Sequence, residues 1–233
     1  MAVVLIVLVF AAFVILDLLN QRRRDAKLRG EGETLHSSLD EVEPSWIAGF
    51  RLPTLLHYHR GHTWVHWVSP TQAYVGVDDF ARRLIGKSSR LTVPAVGTEV
   101  SQGEEAVTVT RGDDRARVLS PVTGEVIAVN PQLAKDPAIP YRDNYGRGWL
   151  YKIKSPLLFK EVPNLLNGTL ARRWMEDTRD RFQHQLMLAT GSVIQDGGTS
   201  IEDIASGLDR DAWMELMHEF LTAKSTDRQA EGS

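Results

Sequence analysis

The sequence predicts a mainly β domain with α-helical additions, which one transmembrane helix precedes and a helical C-terminal extension follows. Residues 2–19 are almost entirely apolar, as in membrane-spanning helices. Residues 56–154 form short runs rich in Val, Trp, Tyr and Thr between turns, which favours strands. After Pro163, apolar residues recur at helical spacing. We therefore expect an anchor with a basic flank over 1–24, a linker over 25–55, the β domain over 56–154, the helical extension over 155–224 and a polar tail over 225–233.

The apolar segment is long enough to cross a bilayer. As a helix, residues 2–19 would span about 27 Å, close to the thickness of a hydrocarbon core. Arg22, Arg23 and Arg24 follow the segment, so the positive-inside rule puts the N-terminus outside and the rest of the chain in the cytoplasm. A cleavable signal peptide would have the opposite order. We predict a single-pass protein of the inner, cytoplasmic membrane with residues 2–24 in contact with lipid; a buried core helix is the alternative.

Composition excludes several classes of function. The formal net charge of −3 gives no general basic field, so we expect no nucleic-acid partner. The chain has no cysteine, which excludes disulfides, thiol catalysis and thiolate metal sites. Phosphate-binding loops, the His-Glu-x-x-His metal motif and the Gly-x-Ser-x-Gly nucleophile motif are also missing from the sequence. We therefore predict no catalytic residue, no cofactor and no enzymatic activity.

Two strands and a short helix can be placed inside the β domain. Alternating apolar residues predict strands at 64–68 and 73–77, with a turn at 69–70. Asp78 is expected to cap a helix that stops at Gly86. The apolar face of this helix would comprise Phe80, Leu84 and Ile85.

The extension is predicted to contain two longer helices. Its first stripe has apolar residues at multiples of four. Its last helix is expected to start at Asp209 or Asp211 and to carry Trp213 on its apolar face. These faces either wrap the β domain or bind a partner, so Trp174 and Trp213 are candidate partner contacts. The first stripe comprises Leu170, Trp174, Phe182 and Leu186.

Three stretches of the β domain, in this order, resemble the H-protein of the glycine cleavage system. They are "GHTWVHW" followed by "AYVGVDDFARRLIG", "VPAVGTEVSQGEEAVTV" leading to "SPVTGEVIAVN", and "DNYGRGWLYKIK". The resemblance covers about residues 56–154 and implies a hybrid β-barrel related to lipoyl and biotinyl domains. In that family the function depends on a lipoyl group attached to a lysine at the bend of one hairpin.

The sequence departs from the family at this bend. Counted back from Pro121, the family's lipoyl-bearing position falls on Asp113, and Thr110 stands where the family usually has a glutamate. No lysine occurs between Lys87 and Lys135. Because lipoylation forms an amide on a lysine amine, the resemblance implies the family's fold without its cofactor.

The charged bend is a candidate contact for a protein partner. It carries both signs of charge, and a solvated turn is the alternative interpretation. The candidate partner contacts here are Arg111, Asp113, Asp114, Arg115 and Arg117.

Four histidines between positions 57 and 66 are candidate metal ligands, because imidazole is a common metal ligand. No thiol or nearby acidic ligand completes the set, so we predict no metal site. The four candidates are His57, His59, His62 and His66.

Together these features predict a non-catalytic, membrane-anchored accessory or scaffold subunit without a lipoyl group. Its expected partner is a protein of a membrane complex, with redox and transport complexes as the first classes to consider. The alternatives are a carrier or regulator connected with glycine cleavage and lipoyl metabolism, and a metal-binding membrane protein.

Overall fold

The protein is described by a computed structural model that covers residues 2–40, 45–190 and 203–222. Its first helix, α1, spans Ala2–Asp40. Within it, the exposed segment Val4–Gly30 is long and apolar enough to cross a membrane. The predicted linker over 25–55 thus begins as helix, because residues 25–40 contain many good helix formers. Leu28 is half-buried and packs against the hydrophobic core of the folded domain.

The folded domain begins before the predicted boundary at residue 56. Strands β1 (Trp46–Ile47) and β2 (Phe50–Arg51) form a hairpin. Its two turn residues, Ala48 and Gly49, have φ of 54° and 85°, as the tight turns of two-residue hairpins require. The side chains of Ile47 and Phe50 are buried in the core. The second half of the predicted linker is therefore part of the domain.

The larger sheet has six antiparallel strands and confirms the predicted strands at 64–68 and 73–77. The strand at residues 151–154 pairs with the strand at residues 72–77, so strands that are distant in the sequence are neighbours in this sheet. In spatial order its strands are β3 (His57–Tyr58), β4 (Thr63–Ser69), β5 (Gln72–Val77), β11 (Tyr151–Lys154), β10 (Gly124–Val129) and β7 (Glu99–Val100).

The smaller sheet consists of β6 (Arg90–Thr92), β8 (Glu105–Arg111) and β9 (Asp114–Leu119), with β8 in the centre. Strands β8 and β9 form a hairpin whose bend is Gly112 and Asp113. The inward residues Val107, Val109 and Val118 are at most 1 % exposed and belong to the common core. The two sheets thus enclose one hydrophobic core, which confirms the mainly β prediction.

Helix α2 (Asp79–Ile85) begins and ends where the sequence predicts. The Asp78 side chain accepts a hydrogen bond from the backbone N–H of Ala81 at 2.8 Å, and Gly86 follows with φ of 86°. Burial of Phe80, Leu84 and Ile85 is confirmed. Such a cap satisfies a backbone donor that the first turn would otherwise leave without a partner.

A buried ion cluster holds the start of α2 against the barrel. The Asp79 carboxylate is 4 % exposed and accepts hydrogen bonds from Arg82 and Arg83, each at 2.5 Å. It also accepts from the backbone N–H of Arg51 at 3.0 Å, which joins α2 to the β1–β2 hairpin. The Tyr145 hydroxyl accepts from the Asp79 N–H and donates to the Arg51 carbonyl. Since the charges are paired and hydrogen-bonded, their burial is tolerated.

The extension is helical, as predicted, over its described residues 155–190 and 203–222. Asp209 caps the last α-helix by accepting from the Ala212 N–H at 2.9 Å, whereas Asp211 lies inside it. The predicted tail over 225–233 lies outside the described residues. After the short helix α3 (Ile139–Arg142), the helices are α4 (Leu158–Glu161), a 3₁₀ turn (Val162–Asn164), α5 (Gly168–Thr190), a 3₁₀ turn (Ile204–Gly207), α6 (Arg210–Met217) and a π-helical turn (His218–Thr222).

The predicted stripe on α5 is partly wrong. Leu170 is 61 % exposed, although Phe182 and Leu186 are buried. Steps of four residues advance about 40° beyond a full turn, so the outer members of the stripe cannot share one face. The buried face of α5 comprises Ala171, Met175, Thr178, Phe182 and Leu186.

Trp213 fastens the last helix to the barrel. Its side chain is 0 % exposed, and its indole Nε1 donates to the Leu84 carbonyl of α2 at 2.9 Å. The guanidinium of Arg111, at the end of β8, lies 5.2 Å from the centre of its ring. Of the two predicted alternatives, Trp213 therefore follows the one in which the extension packs on the β domain.

We expect Asp79→Ala to lower the free energy of unfolding by about 3–5 kcal/mol, because the buried Arg82–Asp79 and Arg83–Asp79 ion pairs would both be lost. Urea unfolding followed by tryptophan fluorescence measures this loss. Asp180→Ala is the matched control: that carboxylate is 63 % exposed beside Arg179, so the change should stay below about 1 kcal/mol. Equal losses in the two variants would contradict a structural role of the cluster.

We expect Trp213→Ala to cost about 3–5 kcal/mol, since it removes a fully buried aromatic side chain. The loss should also release the last helix, so limited proteolysis should cleave the extension faster than in the native chain. Trp46, which is 58 % exposed, provides the control Trp46→Ala with little change in either measurement. Unchanged proteolysis of Trp213→Ala would show that the extension does not depend on this contact.

Candidate functional site

The bend of the β8–β9 hairpin is exposed and carries a carboxylate. Gly112 has φ of 59°, a left-handed conformation that glycine adopts without strain, and Asp113 follows it at the bend with an exposed side chain. An aspartate side chain has no nitrogen on which an amide could form. The bend therefore offers charge and no site for acylation.

The extension binds this hairpin from both of its strands. On β8, the Arg111 guanidinium donates to the Leu208 carbonyl at 3.1 Å and covers the Trp213 ring. On β9, Arg210 donates to the Asp114 carboxylate at 2.7 Å. The predicted partner contacts Arg111, Asp114 and Trp213 thus engage residues of the same chain.

A second contact fixes β9 further along its length. The hydroxyl of Thr222 donates to the carbonyl of Arg117 at 3.1 Å, so the π-helical turn lies along the edge strand of the smaller sheet. An uncovered edge strand would present unpaired backbone groups. The extension occupies part of this edge and restrains the hairpin between its bend and the core.

Trp174, the remaining aromatic candidate, is half-buried on the barrel. Its ring lies 4.6 Å from the centre of the His62 ring and 6.3 Å from that of Tyr58. These distances are those of ordinary aromatic packing. Its contacts attach α5 to strand β3 and to the loop that follows this strand.

The outward face of the smaller sheet is polar and regular. The register places Arg90, Thr110 and Arg115 in one row across the three strands, and Thr92, Thr108 and Arg117 in a second row. Leu91, Val109 and Ala116 form the row between them and face inward. We call the six residues of the two outer rows the Arg/Thr face.

The sequence prediction included Arg115 and Arg117 but missed the other four members of this face as site residues. The signal was present, because "RLT", "TVT" and "RAR" each have polar residues at alternate positions. What the sequence did not supply was the register that aligns the three strands. Arg117 is partly neutralised, since its Nε lies 3.5 Å from the Glu105 carboxylate and it donates to the Thr108 hydroxyl at 2.5 Å.

The four candidate metal ligands do not converge. His57 Nδ1 accepts from the Trp67 indole at 3.2 Å, and His59 Nδ1 accepts from the Gly61 N–H at 3.0 Å. Among residues 2–40, 45–190 and 203–222, no group of three His, Cys, Asp or Glu side chains could hold a metal ion.

His62 has a packing role in the barrel. Its Nδ1 lies 2.7 Å from the buried Asp78 carboxylate, and its ring is packed between Phe80 at 4.4 Å and Trp174 at 4.6 Å. Its backbone has φ of 59°, which is unusual for a residue with a side chain and places the ring under α5. The sequence identified Asp78 as a helix cap but did not show that it also binds His62.

Burial governs the protonation of the other three histidines. It lowers the pKa of His57 and of His66, and lowers the pKa of His59 to about 4 with a smaller contribution from the nearby His62 and Arg60. A neutral imidazole keeps an acceptor nitrogen, which the contact between His59 and the Gly61 N–H requires.

We expect stability to fall as the pH decreases from about 6.5 to about 4. In this window the unfolded chain binds protons at its histidines while folded His59 stays neutral, so protonation favours unfolding. His59→Asn keeps an acceptor without titrating, and it should flatten the plot of unfolding free energy against pH. The control His184→Asn makes the same replacement at an exposed position of α5. An identical slope in His59→Asn and the native chain would contradict this account.

Comparisons with known proteins agree with the barrel and its order of motifs. A family model described as glycine cleavage H-protein matches residues 56–178, which extends beyond the predicted boundary at 154 into α5. The glycine cleavage system H protein of Marinobacter nauticus is 40 % identical over 103 residues, which cover 44 % of this chain and 79 % of the relative. The probable glycine cleavage system H protein 2 of Saccharolobus solfataricus is 36 % identical over 125 residues, or 52 % of this chain and 82 % of the relative.

Among solved structures, a glycine cleavage system H protein from Mycobacterium marinum is similar with a TM-score of 0.47 and 26 % identity, over 55 % of this chain and 98 % of that one. The family match covers more than half of the chain, and the Marinobacter relative is covered over more than two thirds of its length. The chain therefore belongs to the glycine cleavage H-protein family.

Proposed function

We propose that this chain is a non-catalytic, membrane-anchored accessory subunit that carries no lipoyl group and scaffolds a membrane protein complex. The observation that carries the proposal is Asp113 at the exposed bend of the hairpin. The lipoyl group of the family needs an amine at this position, and a carboxylate cannot form the amide. Without a cofactor, a barrel of this kind supplies a shaped surface and no chemistry of its own.

The clamped hairpin supports the same role. Arg111, Asp114 and the backbone of Arg117 all bind the extension, so the hairpin is tied to the body of the protein on both strands. A surface that is already ordered loses less conformational entropy when a partner binds. This arrangement suits a static docking platform.

The membrane part of the proposal rests on α1. Its segment Val4–Gly30 has the length and apolarity of a membrane span, and Arg22, Arg23 and Arg24 follow the apolar run. Under the positive-inside rule the folded domain would lie in the cytoplasm with the N-terminus outside. Since Leu28 packs against the domain core, the domain would lie close to the bilayer surface. Partners in the same membrane would then meet it at a high effective concentration.

A regulator connected with glycine cleavage is the second candidate function. The similarity to relatives named as H proteins favours it, because a barrel that keeps a family surface could bind an enzyme of that system without carrying its intermediate. Direct binding of purified glycine cleavage enzymes or of a lipoyl-transfer enzyme would favour this candidate. A metal-binding role has no support within residues 2–40, 45–190 and 203–222, where no three His, Cys, Asp or Glu side chains are grouped so that they could hold a metal ion.

We expect the protein, extracted in mild detergent from the membrane fraction of its native cells, to have the intact mass of the unmodified polypeptide. A lipoylated H protein purified from the same culture is the positive control, because it shows that lipoyl transfer was active. A lipoyl adduct on this chain would overturn the proposal, and so would recovery of the intact chain in the soluble fraction. Co-purification of subunits of one membrane complex would identify the partner, whereas lipid alone would count against scaffolding.

A further inference from the structure

The Arg/Thr face of the smaller sheet has the properties of a binding surface. Arg90, Thr92, Arg115 and Arg117 are exposed, and Thr108 and Thr110 between them are half-buried. Within the part of the chain that the structure describes, Arg90 and Arg115 form no ion pair. The face therefore presents two arginines available for ion pairing, a third that is partly paired, and a row of hydroxyl groups between them.

The spacing of these arginines is fixed by the sheet. Arg90 and Arg115 lie two strands apart, which is about 10 Å between backbones, and Arg115 and Arg117 lie two residues apart, about 7 Å. The two spacings run at right angles, because the first crosses the strands and the second follows β9, so the three arginines lie at the corners of a triangle. A segment with several neighbouring carboxylates could face more than one of these arginines at once.

The platform under the face is rigid. The inward side chains of the same strands, including Val109 and Val118, are buried, and the hairpin is tied to the extension on both strands. Arginine forms directional, two-pronged hydrogen bonds with carboxylates, so a fixed backbone favours recognition of a matching partner. The six residues of the face include no aromatic side chain on which a nucleobase could stack, and this disfavours single-stranded nucleic acid.

We propose that the Arg/Thr face is the docking surface of this subunit and that it binds an acidic segment of a partner protein. The inference rests on the scaffolding role proposed above and names the surface and the charge of the partner. Exposed ion pairs individually contribute little to affinity, so the face would act mainly through the rate and orientation of association. Binding should therefore weaken strongly with salt.

The test uses the full chain in nanodiscs of zwitterionic lipid, with fluorescent poly-L-glutamate as the probe. We expect the triple variant Arg90→Gln, Arg115→Gln, Arg117→Gln to bind the probe about tenfold more weakly than the native chain at low salt, as the loss of three exposed ion pairs would give. The matched control is the triple variant Lys154→Gln, Lys160→Gln, Arg173→Gln, which removes three exposed cations that lie outside the Arg/Thr face. This control should bind the probe within about twofold of the native chain.

Several outcomes would overturn the inference. Equal losses in the two triple variants would show that only net charge matters. A single-stranded oligonucleotide or anionic nanodiscs that bind more tightly than polyglutamate, with the greatest loss in the Arg/Thr variant, would show that the face binds phosphate. Circular dichroism must show that all variants are folded. A second test of the same face is the double variant Arg90→Glu, Arg115→Glu, which should repel polyglutamate.

The outcomes separate this inference from the proposed function. If the chain inserts into nanodiscs and has an unmodified mass but does not bind polyglutamate, only the proposed docking surface would be contradicted. A chain that fails to insert or bears a lipoyl adduct would contradict the scaffold proposal itself.

Discussion

The buried indole of Trp213 joins three parts of the chain that are distant in sequence. It donates to the Leu84 carbonyl at the end of α2, lies beneath the Arg111 guanidinium at the end of β8, and belongs to the last α-helix of the extension. An indole in the core has one donor that needs a partner, and here a helix terminus supplies the acceptor. The position of the extension, and with it the restraint on the hairpin, depends on this contact.

That restraint acts on the hairpin that bears Asp113 at its bend. A carrier needs an attachment group at the bend and space around it, whereas this bend has the Asp113 carboxylate, and its neighbours Arg111 and Asp114 are bound to the extension. Under the proposed function these two features fit together, because a hairpin without an attached group can be covered at its base. The inward side of the hairpin contacts the extension, and the Arg/Thr face is directed outward.

The sequence was sufficient for the features that depend on local chemistry. The cap at Asp78, the stop at Gly86 and the two central strands follow from residue type and spacing. It was insufficient where distant segments meet. The burial of the β1–β2 hairpin, the pairing of His62 with Asp78 and the alignment of Arg90 with Arg115 all depend on tertiary contacts and strand register, which single-sequence patterns do not encode.

The core of the barrel does not involve the bend of the hairpin. The core is formed by the inward rows of both sheets and by the ion cluster around Asp79, and none of these includes residue 113. A lysine can therefore be replaced there without loss of the fold, and the fold alone does not imply the chemistry. Under the proposed function, the surface would act through fixed charges in place of a flexible arm, and the effect of those charges on a partner would depend on salt and on complementary charge.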